Sequence, residues 1–258
     1  MGHRPTLIFV HGMYMNGRSW SPWVERGEAA GFDCIAPSWP YHEGEPAQLR
    51  LHIDPQLGSL TFGEVVDHFR TVIATLDAPP LVVGHSVGGL VVQRLINEGL
   101  ARAGVSISSA PPRGILSFSP HFVRANLPHV NPLAGSRPVM MTPKRFHYTF
   151  GNAMSRQASD RAFDLYVVPE SRNVPRSTLT RSARIDFRRD HGPLLFIAGE
   201  SDHLCPERMV ARNAMAYRRS PTPARLRAFP GRSHLICNQD GWEEVADAAF
   251  AFLRTSTG

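Results

Sequence analysis

A serine hydroxyl becomes a useful nucleophile when a neighbouring base takes its proton and a carboxylate holds that base in one tautomer. Acyl chemistry also needs donors waiting where an oxyanion will form. Gly84-His85-Ser86-Val87-Gly88 is a GxSxG segment lying between a short apolar strand, residues 81–83, and a helix running to about Asn97. In that setting the chain must turn so tightly that the serine backbone is strained, and residues two before and two after it can carry no bulk. Glycine at 84 and 88 meets the demand, which makes Ser86 the expected nucleophile. The helix that follows would aim backbone N–H groups and the positive end of its dipole at the same place, favouring an anionic intermediate.

Twelve histidines compete for the role of base. His234 stands out because it follows Phe229-Pro230-Gly231-Arg232-Ser233, just after the last strand-like run and before a closing helix. That places it on a loop at the carboxyl edge of a sheet. His11 and His85 flank the site in sequence, and local packing or hydrogen bonding accounts for them more simply than base chemistry. Where chain order is serine, acid, histidine, Asp202 in Gly199-Glu200-Ser201-Asp202-His203 is the expected acid. Glu200 is its main rival, being nearer the strand end, and Asp240 comes after the base. Oxyanion donors are expected from the Val87 N–H and, on the loop after the first strand, from the Met13 N–H. The substrate pocket is expected to draw on Gly12, Tyr14, Trp20, His85, Phe118, Phe122 and Leu204, with Tyr14 offering either a hydroxyl or a wall.

These residues need elements to hold them. Apolar runs at 6–10 and 32–36 read as short buried strands with a helix at 19–30 between them. Residues 61–76 carry apolar side chains at helical spacing and open on Thr61-x-x-Glu64, a capping-box pattern. Further strands are expected at 105–108, 194–198 and 226–229, with helices at 207–217 and 242–253. Strand alternating with helix predicts an α/β fold, a mostly parallel sheet with helices on both faces. From residue 111 to about 189 the rhythm stops in a stretch rich in Pro, Arg, Ser and aromatics. So long a structureless loop is improbable, which predicts a mainly helical inserted cap over 111–189 and a core formed by 1–110 and 190–258.

The 258 residues, 42% hydrophobic, suffice for one well-buried core. Nothing approaches the roughly 18–20 apolar residues of a membrane helix, and a cytoplasmic protein without a cleaved leader is the expectation. Cys34, Cys205 and Cys237 have no metal-ligand spacing, so no metal and no cofactor is expected. Cys205 and Cys237 follow the expected acid and base closely, which leaves open two buried thiols or a single disulfide. The net charge of +6 comes almost entirely from scattered arginines, with Lys144 the only lysine. No basic stripe interleaved with aromatics exists, which argues against a nucleic-acid partner.

Four landmarks in order, the HG-x turn at His11-Gly12-Met13, GHSVGG at 84–89, GESD at 199–202 and GRSH at 231–234, resemble those of the α/β-hydrolase superfamily. The likeness is greatest to small capped bacterial esterases and weaker to plant-type esterases and hydroxynitrile lyases. It covers nearly the whole chain except 111–189. The resemblance implies an eight-stranded sheet in the full version. Here the first strand runs straight into the HG-x turn, so the opening antiparallel strands are missing and about six are expected. Relatives that dehalogenate haloalkanes or open epoxides carry aspartate at the elbow, where this chain has Ser86. The implied activity is hydrolysis of a small to medium, apolar or aromatic carboxylic ester through an acyl-enzyme. Thioester, lactone or amide cleavage is the near alternative. Proton abstraction by a lyase or cofactor-free dioxygenase, and a non-catalytic ligand receptor, are alternatives of other classes. A small-molecule ester is the expected partner, and a homodimer is left open.

Overall fold

The structure is a computed structural model that describes residues 4–115, 119–130 and 135–256. Strand β1 (Thr6–Val10) is followed by a 3₁₀ turn, Gly17–Trp20, then α1 (Ser21–Ala29) and β2 (Asp33–Ile35). A short α2 (Pro46–Leu51) and a 3₁₀ turn at Pro55–Ser59 precede α3 (Phe62–Ala74), β3 (Leu81–His85), α4 (Val87–Asn97) and β4 (Ala103–Ile107). Among the described residues, four α-helices stand between β4 and the next strand: α5 (Pro120–Val130), α6 (Pro143–Thr149), α7 (Arg156–Tyr166) and α8 (Asn173–Ser177). The chain closes with β5 (Leu194–Gly199), α9 (Glu207–Ala216), β6 (Arg225–Phe229) and α10 (Trp242–Thr255).

The six strands pair in the order β2-β1-β3-β4-β5-β6, all parallel. The chain steps outward from β1 to β2, then crosses back to the other side of β1 to lay down β3. In open parallel sheets the crevice at such a reversal, outside the carboxyl ends of the strands, is where ligands bind. Here it lies between the loops that leave β1 and β3, which carry Met13 and Ser86.

Alternation along β1 sorts the core into two layers. Leu7 and Phe9 join Trp23, Phe250 and Leu253 on the face covered by α1 and α10. Ile8 and Val10 join Phe69, Leu90 and Val210 on the face covered by α3, α4 and α9. Helix α3 forms where its capping pattern places it: the Thr61 side chain accepts the Glu64 N–H, and the Glu64 carboxylate accepts the Thr61 N–H at 2.8 Å. Strand β4 starts two residues earlier than its branched apolar residues suggest. Ala103 and Gly104 pair with Leu81 and Val82, and a Cβ at Gly104 would come within 2.7 Å of Val92 on α4. Small residues there are a packing requirement of α4, which propensity alone does not reveal.

Residues of the 111–189 stretch pack into the same apolar layer as α3 and α4. Phe146, Phe150, Phe163 and Val174 are all buried within it. All three cysteines are free and buried. Among the described residues no helix is long and apolar enough to cross a membrane.

The turn from β3 into α4 leaves no room for side chains at its two glycines. A Cβ on Gly84 would lie 2.2 Å from the Gly88 carbonyl oxygen, and one on Gly88 would lie 2.2 Å from that of Val10. Both obstacles are backbone, which cannot swing aside. Gly88→Ala is therefore expected to lose about 3 kcal/mol or more, at or beyond the usual overpacking range. Gly63→Ala, whose added Cβ would meet its nearest neighbour at an ordinary 3.7 Å, should keep the wild-type stability. Urea midpoints of the two variants beside wild type test the contrast.

Candidate functional site

Ser86 holds φ 56° and ψ −120°, a conformation that non-glycine residues rarely adopt. The strain is locked from both sides: its N–H donates to the Ile107 carbonyl at 2.9 Å, and its own carbonyl accepts the N–H groups of Gly89, Leu90 and Ala110. The side chain is thereby lifted off the end of β3 toward the loop that follows β6. There His234 Nε2 lies 2.9 Å from Ser86 Oγ. On the other edge of the ring, His234 Nδ1 lies 2.8 Å from Asp202 Oδ2. The carboxylate can only accept, so Nδ1 carries the proton and Nε2 is left to accept from the serine hydroxyl.

Asp202 uses both oxygens. Oδ1 accepts the N–H groups of Leu204 at 2.8 Å and Cys205 at 2.7 Å, while Oδ2 serves His234. Burial by itself would push this carboxyl up; the adjacent His234 and the Cys205 N–H outweigh it and hold it below the ordinary value. Its rival Glu200 is exposed and accepts the Gly231 N–H at 3.1 Å, which orients the turn before His234 without touching the ring. All three members of the chain are buried: Ser86, Asp202 and His234 are 4%, 4% and 0% exposed.

Two rings hold His234 in place. His85 sits at a centroid distance of 4.7 Å, and its Nε2 lies 2.8 Å from the His234 carbonyl oxygen, to which it donates. Burial, together with the neighbouring His234, drives the His85 pKa down to about 3, so His85 is a neutral strut. From the other side Phe150, just past α6, meets the ring edge to face at 4.9 Å. The Phe150 carbonyl also accepts the Leu235 N–H at 2.8 Å. His11 is likewise structural: its Nε2 accepts the Trp39 N–H, and its Nδ1 faces the Gly12 carbonyl.

Ser86 opens onto a cavity of about 220 Å³ whose lining is mostly apolar. Of the expected pocket residues, Tyr14, Phe122 and Leu204 line it, together with the expected oxyanion donors Met13 and Val87. Among the described residues, the backbone N–H groups of Met13 and Val87 take no partner within the protein. Tyr14 is a wall residue, buried, with its ring edge-on to Phe150 at 6.5 Å.

Three expected pocket residues lie elsewhere. Trp20 stacks on Phe9 at 5.1 Å in the layer under α1 and α10, on the far face of the sheet. Gly12 is pressed against the back of the elbow, where a Cβ would lie 2.8 Å from Ser86 Cβ. His85 stands behind His234 as described. Phe118 lies outside the described residues. The cavity walls also include residues not expected there, notably Ile115, Met141, Phe150 and Cys205. All but Cys205 come from the 111–189 stretch, where no motif marks them. Cys205 could have been inferred from its place three residues after Asp202. Among the described residues no group of three or more His, Cys, Asp or Glu side chains could hold a metal ion.

The depressed pKa of Asp202 carries a sign for stability. A carboxyl whose folded pKa lies below its unfolded value of about 3.9 stabilises above that value, and the contribution fades as pH falls through the folded pKa. Asp202→Asn is therefore expected to cost about 1–3 kcal/mol near pH 7. That gap to wild type should shrink steadily below about pH 4. Parallel denaturant titrations from pH 7 to 3 check it; a gap that stays constant would refute the linkage.

The fold has wide company among solved structures. The monoacylglycerol lipase of Paleococcus ferrophilus superposes with a TM-score of 0.71 at 20% identity, over 98% of this chain and 97% of the other. A pyrethroid hydrolase gives 0.68 at 17% identity, covering 98% of each chain. Tomato methylketone synthase I gives 0.71 at 12% identity, over 99% and 100%. At these identities the likeness speaks to the fold alone. No curated protein sequence matches the chain. Residues 7–248 match the model of the alpha/beta hydrolase family, and the chain belongs to that family.

Proposed function

We propose that the protein is a carboxylic ester hydrolase that works through an acyl-enzyme on Ser86. The observation that carries this reading is the continuous hydrogen-bond chain from Asp202 through His234 to Ser86, which opens onto an apolar cavity. His234 takes the Ser86 proton as Oγ attacks the ester carbonyl, and Asp202 stabilises the imidazolium that results. The Met13 and Val87 N–H groups receive the oxyanion, each at an expected value of about 3–4 kcal/mol. His234 then returns its proton to the leaving alcohol, and a water activated by the same ring releases the acid and restores Ser86.

The 111–189 stretch acts in this reading as a cap over the crevice. Ile115, Phe122, Met141, Phe150 and Leu179 supply much of the apolar lining, which favours a small to medium substrate with an apolar acyl or alcohol group. Phe150, set against His234, also shields the reacting centre from bulk water.

A series of p-nitrophenyl esters from acetate to long chains, assayed with wild type and Ser86→Ala, tests the proposal. Wild type should show a burst of one p-nitrophenolate per enzyme and a chain-length optimum. Ser86→Ala should lose kcat by a factor on the order of 10⁴–10⁶ and show no burst. Equal turnover in both proteins would overturn the reading, as would the failure of Ser86 to react with any activated ester or fluorophosphonate.

A further inference from the structure

A second buried cluster of ionisable side chains lies behind the oxyanion loop, and the reaction scheme above does not use it. Glu170, between α7 and α8, has no exposed surface. Its Oε2 accepts the Tyr14 N–H at 3.1 Å, and its Oε1 accepts the Ser171 N–H at 2.6 Å. The same Oε2 is 3.4 Å from Nε2 of His42, also wholly buried; this is ion-pair contact, longer than a good hydrogen bond. Two residues before Glu170, the Val168 N–H donates to the Tyr14 carbonyl at 3.0 Å. Both backbone groups of Tyr14 are thus tied to residues 168–170. Those residues are themselves anchored, because Glu170 exchanges backbone hydrogen bonds with Val139 at 2.8 and 2.9 Å.

Tyr14 needs such ties. It holds φ 63°, a left-handed conformation that costs a side-chain-bearing residue about 1–2 kcal/mol. The peptides thereby fixed are those joining Met13 to Tyr14 and Tyr14 to Met15; the Met13 N–H belongs to the peptide before them, Gly12–Met13, which is joined to the fixed pair through the Met13 Cα. His42 secures the far side of the loop. Its carbonyl accepts from the Asn16 side chain at 3.1 Å, its Nδ1 faces the Pro40 carbonyl at 2.9 Å, and its ring lies 5.6 Å from that of His11. Burial pulls its pKa down, but the Glu170 carboxylate and the Pro40 carbonyl more than compensate and leave it raised.

We propose that Glu170, with His42 beside it, is a positioning residue that fixes the Met13–Tyr14 peptide and, through the Met13 Cα, restrains the Gly12–Met13 peptide whose N–H faces the substrate oxyanion. The proposal rests on the hydrolase reading and extends it, since it makes the 111–189 stretch a brace for the reaction centre as well as a wall. A carboxylate suits the position because it offers two acceptor oxygens to two separate N–H groups. A glutamine offers one acceptor, so its amide nitrogen would face a backbone donor and the charge opposite His42 would be gone.

Glu170→Gln in the full chain is the test, read in two ways. Steady-state kinetics on the best p-nitrophenyl ester should show kcat lowered roughly 10- to 100-fold, short of the effect of deleting an oxyanion donor, with KM within about twofold. Amide hydrogen exchange should quicken across residues 12–16 while α10 keeps its wild-type protection, which separates a loosened loop from general destabilisation. Unchanged exchange at 12–16 would overturn the proposal whatever the kinetics. So would faster exchange with unchanged kcat in an enzyme that has Ser86-dependent turnover. Wild type lacking such turnover would remove the oxyanion role together with the hydrolase reading, a distinct result from loss of the brace alone. If Glu170→Gln does not fold, His42→Gln carries the same test. It keeps the Glu170 bonds to Tyr14 and Ser171 but removes the ring that faces Oε2, and a smaller change in the same direction is expected.

Discussion

The close approach of β3, α4 and β1 around Ser86 is the constraint on which the rest of the site depends. Ser86 holds a backbone conformation whose cost is about 1–3 kcal/mol for a residue of its kind, and it persists because the surroundings leave no other. Gly84 and Gly88 let helix and strand backbones come nearer than any side chain would allow. The hydrogen bonds from Gly89, Leu90 and Ala110 to the Ser86 carbonyl then close the turn. With Ser86 fixed, the loop after β6 must bring His234 to one side of it, and the β1 loop must bring Met13 to another. The sheet order makes that convergence natural, since reversing direction at β1 opens the crevice into which both loops fall.

Electrostatics follow from the same burial. A buried carboxylate such as Asp202 is tolerated only when its acceptor capacity is used, and His234, Leu204 and Cys205 use it. The neighbouring His85 is handled in the opposite way. Two imidazoles with centroids 4.7 Å apart could not both be charged in this setting, and burial keeps His85 neutral, so the ring supports the His234 backbone without competing for its proton. Two histidines in contact thus differ in role because one faces a carboxylate and the other a carbonyl.

What was legible in the sequence was whatever local backbone geometry demands. The paired glycines, the Thr61–Glu64 cap and the alternation of strand and helix each reflect a short-range requirement, and each reappears in the structure. Trp20 was misplaced because both faces of the sheet carry aromatic layers. Its side depends on which parity of β1 faces α1, and that is set by tertiary packing. Glu170 and His42 were invisible for a related reason. They lie 128 positions apart, and a buried charge pair has no periodicity or spacing by which a single sequence announces it.

The described phenylalanines of the 111–189 stretch divide between core packing and the cavity wall. Phe146 stacks on Phe150 at 5.1 Å and meets Phe163 edge to face at 5.7 Å, a cluster that seats α6 and α7 on the core. Only Phe122 and Phe150 of the described phenylalanines in this stretch line the cavity. Phe150 belongs to both groups: one side rests on Phe146 while its edge bears on His234. A substitution that reshapes the cavity at that position would also shift the packing that holds the imidazole. At Phe150, therefore, the cavity wall and the packing of the His234 ring are one contact.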